Sequence, residues 1–273
     1  MTLVNPPSWL NPERSEMPEL PEVETLCRQL DGLIRGRRLL SLTVYDSKID
    51  ALPEATGGIV RNVRRDGKTV VMDFDSQRSL LIHLRMTGRL FAKPDGARRP
   101  HVRLSLRFDN TDIDLIDPRR FATVNLVQTG RPALKNDLLT GFDRRLFFKR
   151  HAGRRAPVKI LLMDPKAFAG IGNIYACEIL HRAGIEPARP AASLSPGEWG
   201  KVFSRARAVL KTAINKRGTS ISDWRDLFGA PGENQTGLAV YGREGKRCRF
   251  CKGVVARVKQ AGRSTYYCPG CQK

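Results

Sequence analysis

The spacing of apolar residues predicts a helix followed by a strand-rich segment. Apolar side chains between Val23 and Ile34 recur on one helical face, prolines open the segment, and it breaks at Gly36. From about residue 39 to 127 the apolar period becomes two, which is typical of half-buried strands, and polar turns separate the runs. The expected architecture of this part is an antiparallel β-sandwich with a flanking helix.

After the basic stretch at 144–159 the sequence pattern becomes mainly helical. The sequence Ser-Pro-Gly-Glu at 195–198 combines an N-cap serine, a proline at the first helical position and a capping-box acid. Apolar residues between Val202 and Ile214 then share one face of the helix that this sequence begins. A loop rich in glycine and polar residues, about 217–237, leads from this helix to a cysteine-containing segment.

Four of the six cysteines form two C-x2-C pairs with sixteen residues between the pairs. This spacing is typical of a tetrahedral four-thiolate zinc site, which leaves no open position for catalysis and is therefore structural. A redox C-x2-C site is the alternative, but it needs one pair and a thioredoxin-like context. The lone Cys27 and Cys177 lie in helical patterns and are expected to be small buried residues. The predicted zinc ligands are Cys248, Cys251, Cys268 and Cys271.

The charge of the chain indicates a polyanionic partner. With 48 Lys and Arg against 27 Asp and Glu, the formal charge is +21, well beyond what solubility requires. The basic residues are clustered: 144–159 contains seven and 248–273 contains six, and neither range contains an acid. Nucleic acid is favoured over a membrane surface, since the sequence has no run of about 18 apolar residues. The absence of a secretory signal favours a cytoplasmic location and metal binding over disulfides.

Six short motifs precede the cysteine pairs in a specific order. They are Met17–Thr25, Arg64–Lys68, His83–Gly88, Asp117–Phe121, Gly170–Ala176 and Tyr241–Arg243. Together they resemble the formamidopyrimidine-DNA glycosylases over residues 18–273. The resemblance implies an α+β multidomain fold, in which a β-sandwich, a helical helix-two-turns-helix domain and a zinc-finger hairpin follow one another.

On this basis the chain is expected to divide into four parts. Residues 1–17 are interpreted as a disordered extension ahead of the true start, because they contain prolines and no apolar periodicity. The resemblance then implies a catalytic β-sandwich domain at 18–142 and a helical DNA-binding domain with a lesion-capping loop at 143–236. The zinc finger is expected at 237–273.

The resemblance also implies a covalent mechanism at Pro18. A free prolyl nitrogen is a secondary amine, whereas the same nitrogen inside a chain is an amide without usable basicity. In the family this amine attacks C1′ of the damaged nucleotide, and the resulting Schiff base permits β- and then δ-elimination. By the same resemblance, Glu19 transfers a proton on the sugar side, Lys68 contacts phosphate and assists β-elimination, and Arg263 holds phosphate and assists δ-elimination.

The sixteen residues ahead of Met17 conflict with this chemistry, because they leave Pro18 as an amide. We expect translation to start at Met17, with that methionine then removed because proline is small. Cleavage of the extension is the alternative.

The resemblance assigns a further set of residues to DNA binding. Met86, Arg119 and Phe121 are implied to fill the space left by the everted base, with Arg119 next to the unpaired cytosine. The sequence departs from the family at Arg154, where lysine is common, and at Arg217, where a second glycine is frequent. The remaining implied contacts to the DNA backbone are His83, Arg154, Asn173, Tyr241 and Arg257.

The function implied is that of a bifunctional glycosylase and apurinic-site lyase acting on 8-oxoguanine and formamidopyrimidines in double-stranded DNA. The expected protein is a cytoplasmic monomer with one structural zinc ion. Two alternatives stay open: an endonuclease VIII-like enzyme for oxidised pyrimidines, and a zinc-dependent DNA-binding protein without chemistry if Pro18 is never exposed.

Overall fold

The computed structural model of the chain describes residues 17–50, 52, 55–93, 99–130 and 134–273. By their contacts, these residues form two units. The first unit contains the described residues up to position 130 together with Lys216–Gln235, and the second contains the described residues 134–215 together with Thr236–Lys273. The expected extension lies outside the described residues except for Met17, and the division into separate domains stays a prediction.

Two four-stranded antiparallel sheets form most of the first unit, in the orders β1-β6-β7-β5 and β2-β3-β4-β8. Apolar residues of both sheets, such as Leu104 and Leu115 in one and Val70 and Leu80 in the other, belong to one buried cluster. The predicted sandwich is therefore confirmed. The strands are β1 (Leu39–Val44), β2 (Val60–Asp66), β3 (Thr69–Phe74), β4 (Arg78–His83), β5 (Arg89–Lys93), β6 (Val102–Phe108), β7 (Asp112–Ile116) and β8 (Thr123–Gln128).

The flanking helix, α1 (Leu20–Ile34), packs on the same cluster as the sheets. Val23, Leu26 and Leu30 on its apolar face have no exposed surface, as the helical spacing predicted. Burying each such side chain contributes about 1.5–3 kcal/mol. The first residues of α1 are thus held firmly against the sandwich, which positions Pro18 and Glu19 just ahead of it.

The second unit is helical around an aromatic core. Phe147, Phe168, Trp199 and Phe203 pack with ring centroids 4.8–6.4 Å apart. The segment Phe148–Ala152 is a π-helical turn that follows α2. The elements are α2 (Arg144–Phe147), α3 (Val158–Leu162), α4 (Asn173–Ala183), α5 (Pro196–Asn215), β9 (Ala256–Gln260) and β10 (Arg263–Tyr267).

Two local predictions are confirmed in detail. At the start of α5 the Ser195 N–H donates to the Glu198 carboxylate at 2.8 Å, and the Glu198 N–H donates to Ser195 Oγ at 3.2 Å. This is the predicted capping box. Cys27 and Cys177 are buried within helices, and burial raises the pKa of the Cys27 thiol, so this thiol is unreactive. Among the described helices, none combines the length and apolar character of a membrane span.

Candidate active site and metal centre

The four predicted zinc ligands lie together in the second unit. Their Sγ atoms are all within 4.8 Å of one another, with Cys248 and Cys271 3.6 Å apart and Cys251 and Cys268 3.5 Å apart. Disulfide sulfurs would be about 2.05 Å apart. A tetrahedral ion with Zn–S bonds of about 2.3 Å requires sulfur–sulfur separations of about 3.8 Å. The donor set therefore fits one zinc ion.

The backbone around the sulfurs is adapted to thiolate ligands. The Phe250 N–H lies 3.4 Å from Cys248 Sγ, and the Gly253 N–H lies 3.3 Å from Cys251 Sγ. A Cβ atom at Gly270 would lie 3.2 Å from Cys251 Sγ, so a glycine leaves the space that the sulfur needs. The Cys248 sulfur also contacts a side chain, since His181 Nε2 lies 3.5 Å from Cys248 Sγ.

The zinc-binding segment presents a basic hairpin. Strands β9 and β10 pair in antiparallel register, and Ala261 and Gly262, both with positive φ, form the turn between them. The predicted phosphate contacts Arg257 and Arg263 are exposed on this hairpin. A two-stranded hairpin is marginally stable by itself, so the metal must contribute to holding it.

A residue that sequence reasoning missed, Lys159, holds β10 from inside the unit. It is fully buried in α3, and its Nζ donates to Thr265 Oγ1 at 2.8 Å and to the Ser264 carbonyl at 3.3 Å. Both partners follow Arg263 directly in β10. Because the partners of this lysine lie more than a hundred positions away, no local sequence pattern indicates that its side chain is buried or what it contacts.

Asn173 and Tyr241, two predicted DNA contacts, are neighbours in the second unit. Asn173 is the first residue of α4, after a turn in which Gly170 has φ 86° and Gly172 is the N-cap. Its side-chain amide lies 3.3 Å from the Tyr241 hydroxyl. The backbone N–H groups at such a helix start favour anions, so this pair lies at a position suited to phosphate.

Glu178, on the same helix, fixes the position of Tyr241. Its carboxylate is buried and accepts the N–H groups of Ala239, Val240 and Tyr241 at 2.8–2.9 Å. Three charge-assisted hydrogen bonds of this kind leave the 239–241 backbone little freedom. This residue was also missed, since an acid inside a helix is usually solvated.

Two other predicted contacts, Arg154 and Arg257, make surface ion pairs. Arg154 pairs with Asp164 at 2.7 Å and Arg257 with Glu244 at 3.4 Å, and both arginine side chains are more than 40% exposed. Ion pairs of this kind contribute about 0–1 kcal/mol. Both arginines can therefore exchange these partners for phosphate.

In the first unit, Pro18 and Glu19 lie directly before α1, and both are buried. The Glu19 N–H donates to Glu22 Oε2 at 2.9 Å, while Glu22 Oε1 accepts the Thr219 N–H at 2.7 Å. At Gly218, with φ 82°, a Cβ atom would lie 2.8 Å from Glu22 Oε1. Glu22, which sequence reasoning did not single out, thus joins the start of α1 to the segment 216–235.

The segment 216–235 is closely bound to the first unit. Trp224 and Leu227 belong to its buried cluster, and Asp226 accepts a hydrogen bond from Gln29 of α1 at 3.0 Å. Arg217, which stands where the family often has glycine, has φ 55°. It donates to Asp226 at 3.0 Å and to the Glu233 carboxylate at 2.6 Å. The residue that replaces a frequent glycine therefore makes ion pairs within the segment itself.

Lys68 lies in the two-residue turn between β2 and β3, next to Gly67 with φ 59°. The Arg65 side chain supports this turn, because it donates to the Gly67 carbonyl at 3.1 Å and to Glu24 at 3.0 Å. The lysine is half-buried at a defined place on the sandwich.

His83 is neutral and has a defined tautomer. Its Nδ1 accepts the Arg85 N–H at 3.1 Å, so the ring proton is on Nε2. Burial, together with the positive charges of Arg85 and Lys68, lowers the pKa of His83 to about 4. Nε2 is then a hydrogen-bond donor that carries no net charge.

We expect the His83 ring in the free protein to stay neutral, as the Nε2–H tautomer, between about pH 6 and 8. The folded-state pKa of about 4 lies below the ordinary value of 6.5, so between these two values the unfolded chain binds a proton that the folded ring does not, and stability falls as the pH drops from 6.5 to about 4. Ring nitrogen chemical shifts across a pH titration check this, with His83→Gln used to assign the signals. A midpoint near 6.5, or a proton on Nδ1, would contradict it.

The three residues predicted to fill the space of an everted base are carried by two neighbouring segments of the first unit. Phe121 is 46% exposed and is therefore not a core residue, and the Arg119 guanidinium lies 4.8 Å from its ring centroid. Met86 is half-buried. The Asp117 carboxylate accepts the N–H groups of Arg119 and Phe121 at 3.2 and 2.7 Å.

The sandwich, the helical unit and the four-thiolate hairpin define a basic zinc-finger protein with two folded units. Family models match in the same order: the formamidopyrimidine-DNA glycosylase N-terminal domain at 17–124, the corresponding H2TH domain at 135–224, and the zinc finger found in FPG and IleRS at 245–273. Together these matches cover most of the chain.

Known proteins agree with these matches. Formamidopyrimidine-DNA glycosylase of Laribacter hongkongensis is 38% identical over 94% of this chain and all of the relative. The MutM (Fpg) protein from Thermus thermophilus is 37% identical with a TM-score of 0.84, covering 93% of this chain and 98% of that one. The Lactococcus lactis Fpg in complex with abasic-site DNA is 29% identical with the same TM-score, covering 93% and 99%.

The chain belongs to the formamidopyrimidine-DNA glycosylase family. It is accordingly an enzyme, a DNA glycosylase of base excision repair, with a zinc finger able to bind one zinc ion.

Proposed function

We propose that this enzyme removes oxidised purines, 8-oxoguanine and formamidopyrimidines, from duplex DNA and then cuts the strand at the resulting site. The observation that carries the proposal is the sequence Met17-Pro18-Glu19, which lies where the family match begins and directly before α1. The support from relatives is specific: Lactococcus lactis Fpg has been solved with abasic-site DNA and, as a point mutant, with Fapy-dG DNA.

The proposed reaction begins with the Pro18 nitrogen. Its lone pair bonds to C1′ of the damaged nucleotide, and the bond from C1′ to the base breaks, with the electron pair leaving on the base, which takes up a proton. The Pro18 nitrogen then loses its N–H proton, O4′ gains a proton, and the bond from C1′ to O4′ breaks, which opens the sugar ring and leaves an iminium ion between Pro18 and C1′. Glu19 carries this proton, a role that its position beside Pro18 supports.

Strand cutting then follows from the iminium ion, which acidifies the sugar C–H bonds. Loss of the C2′ proton breaks the bond from C3′ to the 3′ phosphate (β-elimination). Further proton loss breaks the bond from C5′ to the 5′ phosphate (δ-elimination), and water finally releases Pro18. We propose that Lys68 contacts phosphate and assists the first elimination and that Arg263 assists the second.

Pro18 must be the mature N-terminus for this chemistry. We propose that translation starts at Met17 and that this methionine is then removed. The family match begins at Met17, and the Laribacter hongkongensis relative aligns over its whole length with 94% of this chain. Both facts support a functional protein that starts at this point.

We propose that eight residues bind the DNA. Met86, Arg119 and Phe121 fill the space of the everted base, and the exposure of Phe121 supports this role. Asn173 can rotate its amide by 180° so that the Tyr241 hydroxyl donates to Oδ1, which leaves the NH2 group for phosphate. The residues proposed to contact the DNA backbone are His83, Arg154, Asn173, Tyr241 and Arg257.

We propose further that the enzyme acts as a monomer in the cytoplasm.

A pair of lesion duplexes tests the proposed substrate class. We expect strand cutting and a borohydride-trapped adduct with an 8-oxoguanine·cytosine duplex, at a single-turnover rate at least about tenfold above that with thymine glycol. An undamaged duplex of the same sequence is the control. Preference for thymine glycol would assign the enzyme to the endonuclease VIII branch. Binding without cutting of either duplex would leave a DNA-binding protein without chemistry.

A further inference from the structure

We propose that Asp117, held by Arg103, which in turn pairs with Asp46, is the positioning residue for the side chains that replace the everted base. These side chains, Met86, Arg119 and Phe121, are called the wedge residues below. The inference rests on the proposed function and deepens it, because it identifies what keeps the wedge residues in place before DNA arrives.

The Asp117 carboxylate connects the two segments that carry the wedge residues. Asp117 is 1% exposed. Its Oδ2 accepts the N–H groups of Phe121 and Ala122, both at 2.7 Å, and its Oδ1 accepts the Arg119 N–H at 3.2 Å. Oδ1 also accepts the hydroxyl of Thr87, the residue that follows Met86. One buried carboxylate thus holds the backbone of Arg119 and Phe121 and also the side chain of the residue next to Met86.

Arg103 holds this carboxylate from the interior of the sandwich. The arginine lies in β6 and is 3% exposed. Its Nη1 lies 3.4 Å from Asp117 Oδ2 and donates to the Ala122 carbonyl at 2.7 Å, while its Nε donates to Asp46. Arg103 therefore fixes both the carboxylate and the backbone where the 117–122 turn ends.

Asp46 completes a chain of alternating charges that ends at Arg120. Asp46 is buried and accepts hydrogen bonds from Arg103 and from Arg120, whose φ of 56° lies in the left-handed region. The hydrogen bond from Arg120 holds the pKa of Asp46 well below its usual range. Asp46 stays ionised, and Arg120, between Arg119 and Phe121, is held in an uncommon conformation.

The wedge residues need such support because core packing does not hold them all. Phe121 is nearly half exposed, and its ring contacts the side chain of Arg119, another wedge residue. An exposed aromatic residue with a free backbone would populate several orientations, and ordering it would weaken binding. Fixing its backbone through Asp117 removes this cost before the base leaves the stack.

The test compares Asp117→Asn and Thr87→Val with the wild type on two DNA substrates. Asn can no longer accept all of these N–H donors, whereas Thr87→Val removes one hydroxyl and keeps the carboxylate, so we expect this variant to fold. On an 8-oxoguanine·cytosine duplex we expect single-turnover rates to fall about 100-fold for Asp117→Asn and about tenfold for Thr87→Val. On a single strand with an abasic site, where no base must be everted, both should stay within about threefold.

A fluorescent base gives a readout that a merely structural role would not move. With 2-aminopurine next to the lesion, wild-type binding should raise the fluorescence as the stack opens, and both variants should show at most half of this rise at saturating protein. Asp73→Asn is the matched control, because Asp73 is also a buried carboxylate of the sandwich and pairs with Arg64 and Ser79. It should lose thermal stability but keep the fluorescence rise.

The outcomes separate this inference from the proposed function. If the single-turnover rates of the variants fall equally on the two substrates, or if the variants keep the fluorescence rise as Asp73→Asn does, the positioning role is overturned. Cutting by the wild type would still support the proposed enzyme activity in that case. If the wild type cuts neither substrate, the proposed function fails, and the inference fails with it.

Discussion

A variant that starts with one added glycine directly ahead of Pro18 is expected to form no borohydride-stable adduct with abasic-site DNA and not to cut it. The extra residue converts the prolyl nitrogen from a secondary amine into an amide, which has no lone pair available to attack C1′. The cutting rate should fall by at least about 1,000-fold, the scale usual for loss of a catalytic nucleophile. Single-turnover cutting and adduct yield on a denaturing gel measure the effect.

The control for this experiment is the same protein after proteolytic removal of the glycine. Adduct formation and cutting should then return, because no side chain has changed. Binding of the extended form to a duplex with a stable abasic analogue, measured by fluorescence anisotropy, should remain within about tenfold of the wild type, since the basic side chains proposed to contact phosphate are unchanged. Full cutting by the extended form would exclude Pro18 as the nucleophile.

Loss of zinc is expected to have the second-largest effect. Replacing Cys268 with serine removes one of the four thiolates, and the β9–β10 hairpin then loses the metal that holds it. The proposed DNA-contacting residues Arg257 and Arg263 lie on this hairpin with another basic residue, Lys259, so we expect their contribution to DNA binding to be lost together. We expect the Kd for an abasic-analogue duplex to rise at least about 100-fold at fixed salt.

Metal content and affinity must be measured on the same protein samples. Cys268→Ser should contain well under one zinc ion per chain by mass spectrometry of the metal, while Cys27→Ser should keep its zinc, because Cys27 is buried in α1 of the first unit. The zinc-free variant should also show a smaller salt dependence of binding. Wild-type affinity in a zinc-free Cys268→Ser protein would show that the hairpin folds without the metal.

Much of the fold could be predicted because its signals are local in the sequence. The apolar stripe of α1, the alternation in β6 and the capping box at Ser195 depend on residues within a few positions of one another. The zinc site could be predicted equally well, since the spacing within and between the cysteine pairs identifies the four ligands. In each case short-range geometry restricts the chain to one arrangement.

The supporting residues of the site could not be predicted in this way. Glu22 meets Thr219 across 197 positions, and Lys159 meets Thr265 across 106. No periodicity connects such partners, because their meeting depends on how whole elements pack. The same reason explains why no local pattern indicated that Trp224, in the loop after α5, belongs to the core of the first unit.

The roles of individual site residues depend on resemblance more than on local physics. Lys68 is half-buried in a tight turn and Arg263 is exposed on a hairpin, and either position suits an ordinary surface residue. Asp117 differs, because its role follows from the hydrogen bonds that converge on it. Geometry therefore adds most where a buried charge has several backbone partners.

The most direct test of the mechanism is to locate the covalent bond. Active protein is reduced with borohydride in the presence of 8-oxoguanine·cytosine DNA, digested, and its peptides are sequenced by mass spectrometry. The mass of the reduced sugar remnant should lie on the nitrogen of a peptide that begins at Pro18. A remnant on any lysine, or an active chain whose N-terminus precedes Pro18, would contradict the proposed chemistry.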